Sequence, residues 1–278
     1  ANEPRLVMRN LGLGKVDVHT TQPCAGDCLS LKFSVYFSDE IRKKSVVPLF
    51  RILVILLLFF LPRLTFAQDV NEDKTGAWYM YMWNKDLDNS SYGFQGDIQH
   101  RNWNLGGDLE QLLIRGGLTW RPQKSSIKYT LGYAYIKSGA FGPNSATTSE
   151  RRLYQEALIP QRLGSKAYIT HRIRLEQRDV DGQDYRNRLR YFVGLNYPLN
   201  QDTLGKGAVY LAFYNELFMN FERNIGNDRR VDYFDRNRTY AAIAYSLSNN
   251  SRLQFGYMHQ ETEFFGKGQL QLNLIQNF

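Results

Sequence analysis

From Lys166 onward every second residue is charged or polar: Lys166, Tyr168, Thr170, Arg172, Arg174, Glu176 and Arg178. The interleaved register is mostly apolar, with Ala167, Ile169, Ile173 and Leu175 broken only by His171. Side chains alternate across an extended chain, so this is a strand with two chemically opposed faces. A turn at Asp181-Gly182-Gln183-Asp184 follows, and the pattern returns. Arg186, Arg188, Arg190 and Asn196 then stand against Leu189, Tyr191, Val193, Leu195 and Tyr197. In a soluble sandwich the apolar face would be core and the charged face would meet water. The arms, however, are about as long as the ~9–11 residues that cross a bilayer as a tilted strand, and the apolar face is rich in Tyr. The expectation is therefore that the apolar face meets lipid and the arginines turn inward.

The same two-residue period recurs along the chain. Aromatic residues dominate a first window at 76–84, and alternation follows at 91–101, 111–121, 127–137 and 150–159. Beyond the hairpin come 208–221, 236–247, 252–261 and 270–278. Turns are expected at 122–125, 160–164 and 248–250, and longer loops at 138–149 and 222–233. Short turns alternating with longer loops are how outer-membrane barrels are built. The fold class expected is all-β: one antiparallel transmembrane barrel. Eleven windows pose a difficulty, because single-chain bacterial barrels use even strand numbers. The first window comes out in the wrong direction, so ten to twelve strands are expected, with twelve preferred.

The chain of 278 residues carries a formal charge of +8, which alone would suggest nucleic acid or membrane as partner. Residues 1–67 hold nine Lys/Arg and five Asp/Glu, leaving only +4 on the rest. Those basic residues alternate within strands rather than forming tracts, which argues against nucleic acid. Residues 46–67 read as a signal peptide: Arg42, Lys43, Lys44 and Arg51 flank a ten-residue apolar run from Ile52 to Leu61, with cleavage near Ala67. That run is short of the ~20 residues of a membrane-spanning helix. Residues 1–45 are expected to be a poorly ordered or mistranslated extension, and 68–278 the barrel. The only cysteines, Cys24 and Cys28, lie in the extension without a second pair, so no metal site is expected.

Three runs stand out together: Arg151-Arg152-Leu153-Tyr154-Gln155-Glu156, His171-Arg172-Ile173-Arg174-Leu175-Glu176-Gln177-Arg178 and Tyr185-Arg186-Asn187-Arg188-Leu189-Arg190-Tyr191. With Phe234-Asp235-Arg236-Asn237-Arg238 they resemble the domain of unknown function 2490 family. The resemblance covers about 76–278. It implies an exported bacterial protein regarded as an outer-membrane β-barrel, and it brings no activity or substrate. The chain also stops on Phe278 behind alternating apolar residues, as outer-membrane proteins commonly do, although Gln276 departs from that pattern. Outer-membrane lipid and the barrel assembly machinery are the expected partners.

The inward constellation is the candidate site. It comprises Arg152, Glu156, Arg172, Arg174, Glu176 and Arg178, then Arg186, Arg188, Arg190, Glu216, Arg236 and Arg238, with Glu150 nearby in pattern. Two readings stay open. In one, the arginines pair with the glutamates and plug the lumen, the preferred case; in the other, excess arginine lines a narrow pore for a small anionic solute. Catalysis is not expected, since His100, His171 and His259 all take the apolar register and none lies two residues from a serine. Asp179, Asp181 and Asp184 form a small acidic cluster better read as a solvated turn than a cation site. No cofactor is expected. The alternatives are a barrel-embedded hydrolase and a soluble, secreted β-barrel that binds an apolar ligand.

Overall fold

A computed structural model describes residues 75–142, 146–264 and 266–278, and within them the chain forms eleven strands and no helix. The strands are β1 (Gly76–Asp86), β2 (Tyr92–Asn102), β3 (Leu109–Trp120), β4 (Lys128–Gly139), β5 (Thr147–Leu163) and β6 (Ala167–Val180). They continue with β7 (Arg186–Pro198), β8 (Val209–Asn220), β9 (Phe234–Ser246), β10 (Ser251–Glu261) and β11 (Gly266–Asn277). Each pairs antiparallel with the next, and β1 pairs with β11 to close the barrel. The leader, the extension and the two cysteines lie outside the described residues.

Eleven strands replace the twelve preferred from sequence. The aromatic window at 76–84 is a full strand, and the parity conflict is resolved by making one seam parallel: β1 runs alongside β11, with Tyr81 opposite Leu274 and Trp83 opposite Gln276. An odd strand number puts the two ends of the described barrel at opposite mouths. One mouth carries the start of β1 and the β2–β3, β4–β5, β6–β7, β8–β9 and β10–β11 connections. The other carries the remaining connections and Phe278. The expected contrast of short turns with long loops is weak. The longest connections, 199–208 and 221–233, lie at opposite mouths. The turn expected at 160–164 is also displaced: pairing persists through Pro160 opposite Thr170 to Leu163 opposite Ala167, and the chain reverses at 164–166, with Gly164 in the left-handed region.

The alternation sets what faces in and what faces out. β4 reads buried-exposed from end to end: Lys128, Thr130, Ala134 and Ile136 are buried, while Tyr129, Leu131, Tyr133 and Tyr135 are exposed. Leu131 is 55 % exposed and Ile173 45 %, against 1 % for Glu176. The polar register is the enclosed one. A small apolar cluster of Tyr210, Ala212, Ala242, Ala244 and Met258 fills part of the interior. Loop 199–208 tucks Leu204 against that cluster, and Ser246 donates to the Leu204 carbonyl.

Glycines in the wall make room for aromatic rings. A Cβ at Gly132 would strike the Tyr154 ring, so Tyr154 lies flat over the strand beside it. Arg174 then stacks on that ring at 4.6 Å. The parallel seam is directly testable. With Cys24 and Cys28 changed to Ser, cysteines at Tyr81 and Leu274 are expected to cross-link on mild oxidation, because paired Cα atoms lie within disulfide reach. Cysteines at Tyr81 and Gly268 are expected not to. The reverse outcome, read on a non-reducing gel, excludes this closure.

Candidate functional site

The wall from β5 to β9 carries the candidate residues in rows set by register. Arg152, Arg178 and Arg186 form one row across β5, β6 and β7. Tyr154, Glu176, Arg188 and Asn220 form the next. Glu156, Arg174, Arg190, Phe218 and Arg236 form a third, and Arg172, Phe192, Glu216 and Arg238 a fourth. Stacked directly, several of these rows would place like charges side by side. Arginine's long side chain lets each guanidinium reach diagonally to a carboxylate in a neighbouring row.

Glu176 is the hub. Its Oε2 accepts from Arg188 Nη2 at 2.6 Å and Nε at 3.0 Å, and its Oε1 accepts from Arg190 Nη1 at 2.6 Å. Arg152 and Arg174 approach the same carboxylate at 3.8 and 3.9 Å. Glu150 receives Arg152 Nε at 2.6 Å and Arg178 Nε at 2.5 Å. Glu216 receives Arg172 Nη2 at 2.7 Å and Arg190 Nε at 2.9 Å. Glu156 holds Arg174 and takes a 3.0 Å bond from Gln95, three strands away on β2. The guanidinium groups also stack on rings: Arg190 lies 4.4 Å and Arg238 4.7 Å from the Phe218 centroid. Ring faces attract cations and offset part of the cost of removing them from water.

Further bonds cross the interior between non-adjacent strands. Trp78 Nε1 on β1 donates to Glu110 on β3, and Gln269 on β11 donates to the same oxygen. Lys128 on β4 donates to Asn84 on β1, and Gln271 on β11 pairs with Tyr214 on β8. Each of these bonds passes over one or two intervening strands.

Of the twelve candidates, Arg152, Glu156, Arg174, Glu176, Arg178, Arg186, Arg188, Arg190, Glu216 and Arg238 are buried in the interior. Arg172 is partly exposed, and Arg236 stands at the mouth formed by loop 221–233. Arg186 and Arg238 have no carboxylate within ion-pair reach among the described residues. Sequence reasoning missed four members. Asp97 and Arg115, which pair at 2.8 Å, and Arg101 all lay in the polar registers of β2 and β3 but without the arginine density of β6 and β7. Asp235 takes the outward register by strict alternation. A bulge in β9, where Arg236 faces Phe218 and Phe234 faces Met219, leaves Asp235 as the extra residue. It turns inward and binds Arg188 at 2.6 Å. Nothing in the sequence marks that bulge.

Outside the wall, His171 pairs with the Tyr191 hydroxyl at 2.9 Å and with Gln161 at 3.3 Å, on the exterior. Asp179 and Asp181 are bound by exposed Arg151 at 3.2 and 3.7 Å, so the acidic turn has its own cation. In the long loop, burial pushes the Glu222 carboxyl up less than the Asn187 backbone and side-chain amides pull it down; it ends below the usual carboxylate range.

A family model described as a protein of unknown function, DUF2490, matches residues 75–271. No curated protein and no solved structure matches the chain.

The network has a measurable signature. Glu176→Gln removes the buried carboxylate that Arg188 and Arg190 share, leaving Arg188 to Asp235 alone and Arg190 to Glu216 alone, which is expected to cost about 3 kcal/mol of unfolding free energy. Arg151→Gln breaks an exposed pair and is expected to cost no more than about 1 kcal/mol. Urea titration of the folded barrel compares the two, and equal losses would show that Glu176 holds nothing together.

Proposed function

The chain belongs to the DUF2490 family of proteins of unknown function, and on that premise we propose that it is an integral outer-membrane β-barrel whose lumen is held shut by its own arginine–carboxylate network. One observation carries the reading: the apolar register faces out all round the barrel while the ion pairs are enclosed. An exposed apolar surface running over Leu131, Leu153, Ile173, Phe213, Ile243 and Phe255 is far larger than soluble monomers tolerate. Aromatic residues gather outside near both mouths. Tyr92, Trp120, Tyr129, Tyr197 and Tyr245 lie toward one, and Tyr79, Tyr135, Phe234 and Tyr257 toward the other. That distribution suits two headgroup regions bounding a hydrocarbon layer.

Export by the leader, cleavage after Ala67 and delivery to the assembly machinery through β11 belong to the same proposal. A soluble barrel holding an apolar ligand has less support, since it needs the apolar register inside. A hydrolase has less support as well, because His171 engages Tyr191 and Gln161 on the exterior. The anion-preferring pore remains as the second reading, favoured by the surplus of arginine. The crossing hydrogen bonds between β1 and β3, β2 and β5, and β8 and β11 favour the closed barrel over it.

Two experiments test the proposal. Leu153→Arg places a charge on the outer face of β5 and is expected to destabilise the barrel in lipid by about 2–4 kcal/mol; a water-facing position would shift by no more than about 0.5 kcal/mol. The fraction of protein whose gel mobility changes on boiling reports the effect. In planar bilayers the purified protein is expected to give no resolved conductance steps, and Glu176→Gln to open it. Steady anion-selective steps from the unaltered protein would instead establish the pore.

A further inference from the structure

Eight guanidinium groups line a cavity of about 50 Å³ inside the barrel, and among the described residues no carboxylate joins that lining. Arg101, Arg115, Arg190 and Arg238 contribute from four different strands, with Gln111, Leu113 and Phe218 completing the wall. Several of these arginines spend their charge elsewhere: Arg115 on Asp97, and Arg190 on Glu176 and Glu216. Arg101 and Arg238 do not. Arg101 donates to Gln99 and Gln111, Arg238 donates to Gln260, and both stack on the Trp78 indole, at 3.9 and 4.8 Å. Among the described residues neither has a carboxylate within ion-pair reach, although each is only 6 % exposed. Arg186, in the same row as Arg152 and Arg178, is 7 % exposed, and its Nε and Nη1 have no hydrogen-bond partner among the described residues.

Buried charge without a counter-charge costs several kcal/mol per ion. Glutamine oxygens and ring faces satisfy donors here but supply no negative charge. We infer that this chamber binds a small oxyanion of the phosphate or sulfate type, whose oxygens take the guanidinium donors the protein leaves without carboxylates. Planar guanidinium forks suit such oxygens, and several converging forks favour a multiply charged ion over chloride. The cavity holds the volume of roughly three or four waters, which suits a free ion or one terminal group of a larger molecule. Arg236, with its side chain 27 % exposed, sits at the mouth beside loop 221–233 and marks the way in. The barrel wall alone builds the chamber, so this inference stands or falls apart from membrane insertion.

The test is calorimetric titration of the full chain, folded in detergent, with inorganic phosphate against a chloride background of equal ionic strength. A phosphomonoester with a bulky organic group forms the second arm. Saturable phosphate binding is expected, weakened at least about tenfold by Arg238→Gln or Arg101→Gln, the worth of one hydrogen bond to a charged group. Arg151→Gln, on the exterior, is expected to bind like the unaltered protein. Both lumenal variants remove an unmatched charge, so they are expected to melt no lower than the parent in phosphate-free buffer, which certifies that they fold. Binding of the monoester as well as phosphate identifies a terminal group as the ligand; phosphate alone identifies the free ion. No saturable binding, or phosphate stabilisation that is unchanged in both lumenal variants, as general salt exclusion would produce, overturns the inference.

Discussion

Glu176 with its ring of arginines is the constraint on which the interior depends. One carboxylate, 1 % exposed, takes three hydrogen bonds from Arg188 and Arg190 and lies within 4 Å of Arg152 and Arg174. Because these arginines belong to β5, β6 and β7, the carboxylate fixes the register of three strands at once. Slip by a single residue would send every guanidinium into the outer face and every leucine inside. Register is thus enforced from both faces, by ion pairs within and by apolar surface without.

The choice of arginine follows from the width of the barrel. Eight strands leave an interior that ordinary side chains just fill. Eleven leave more, and a purely aliphatic filling would have to be bulky to avoid voids. Arginine supplies length, a flat group that stacks on Phe218 and Trp78, and donors in several directions. The interior is accordingly divided. Toward the mouth beside loop 221–233 it is an ionic lattice. Toward the opposite mouth it is lined by Tyr210, Tyr214, Tyr240, alanines and the inserted Leu204. Stacking of Tyr214 on Tyr240 at 4.7 Å lies where the two halves meet.

Much of this was legible in the alternation. The two registers of β6 and β7 give the direction of every arginine there, because a period of two leaves a side chain no third direction. The aromatic window of β1 was legible as a strand, but the way it closes the barrel was not. Parallel or antiparallel pairing at a seam depends on contacts between residues nearly two hundred positions apart, such as Gly76 and Gln269. Asp235 escaped for a local reason, the bulge that adds a residue to β9 and reverses its facing. Arg101 and Arg115 were legible as inward but not as members of the same cluster. Their nearness to β7 and β9 arises only on closure, which brings β2 and β3 round to face Arg190 and Arg238 across the lumen.

The account rests on hydrocarbon lying against the outer register. Spin labels placed singly at Leu131, Ile173 and Phe213 in protein reconstituted into lipid vesicles test that directly. Molecular oxygen concentrates in acyl chains, whereas a charged nickel chelate stays in water, so relaxation by each reports the label's surroundings. The account predicts strong oxygen and weak nickel relaxation at all three sites. Strong nickel relaxation at those sites, with oxygen no more effective than in buffer, would contradict it.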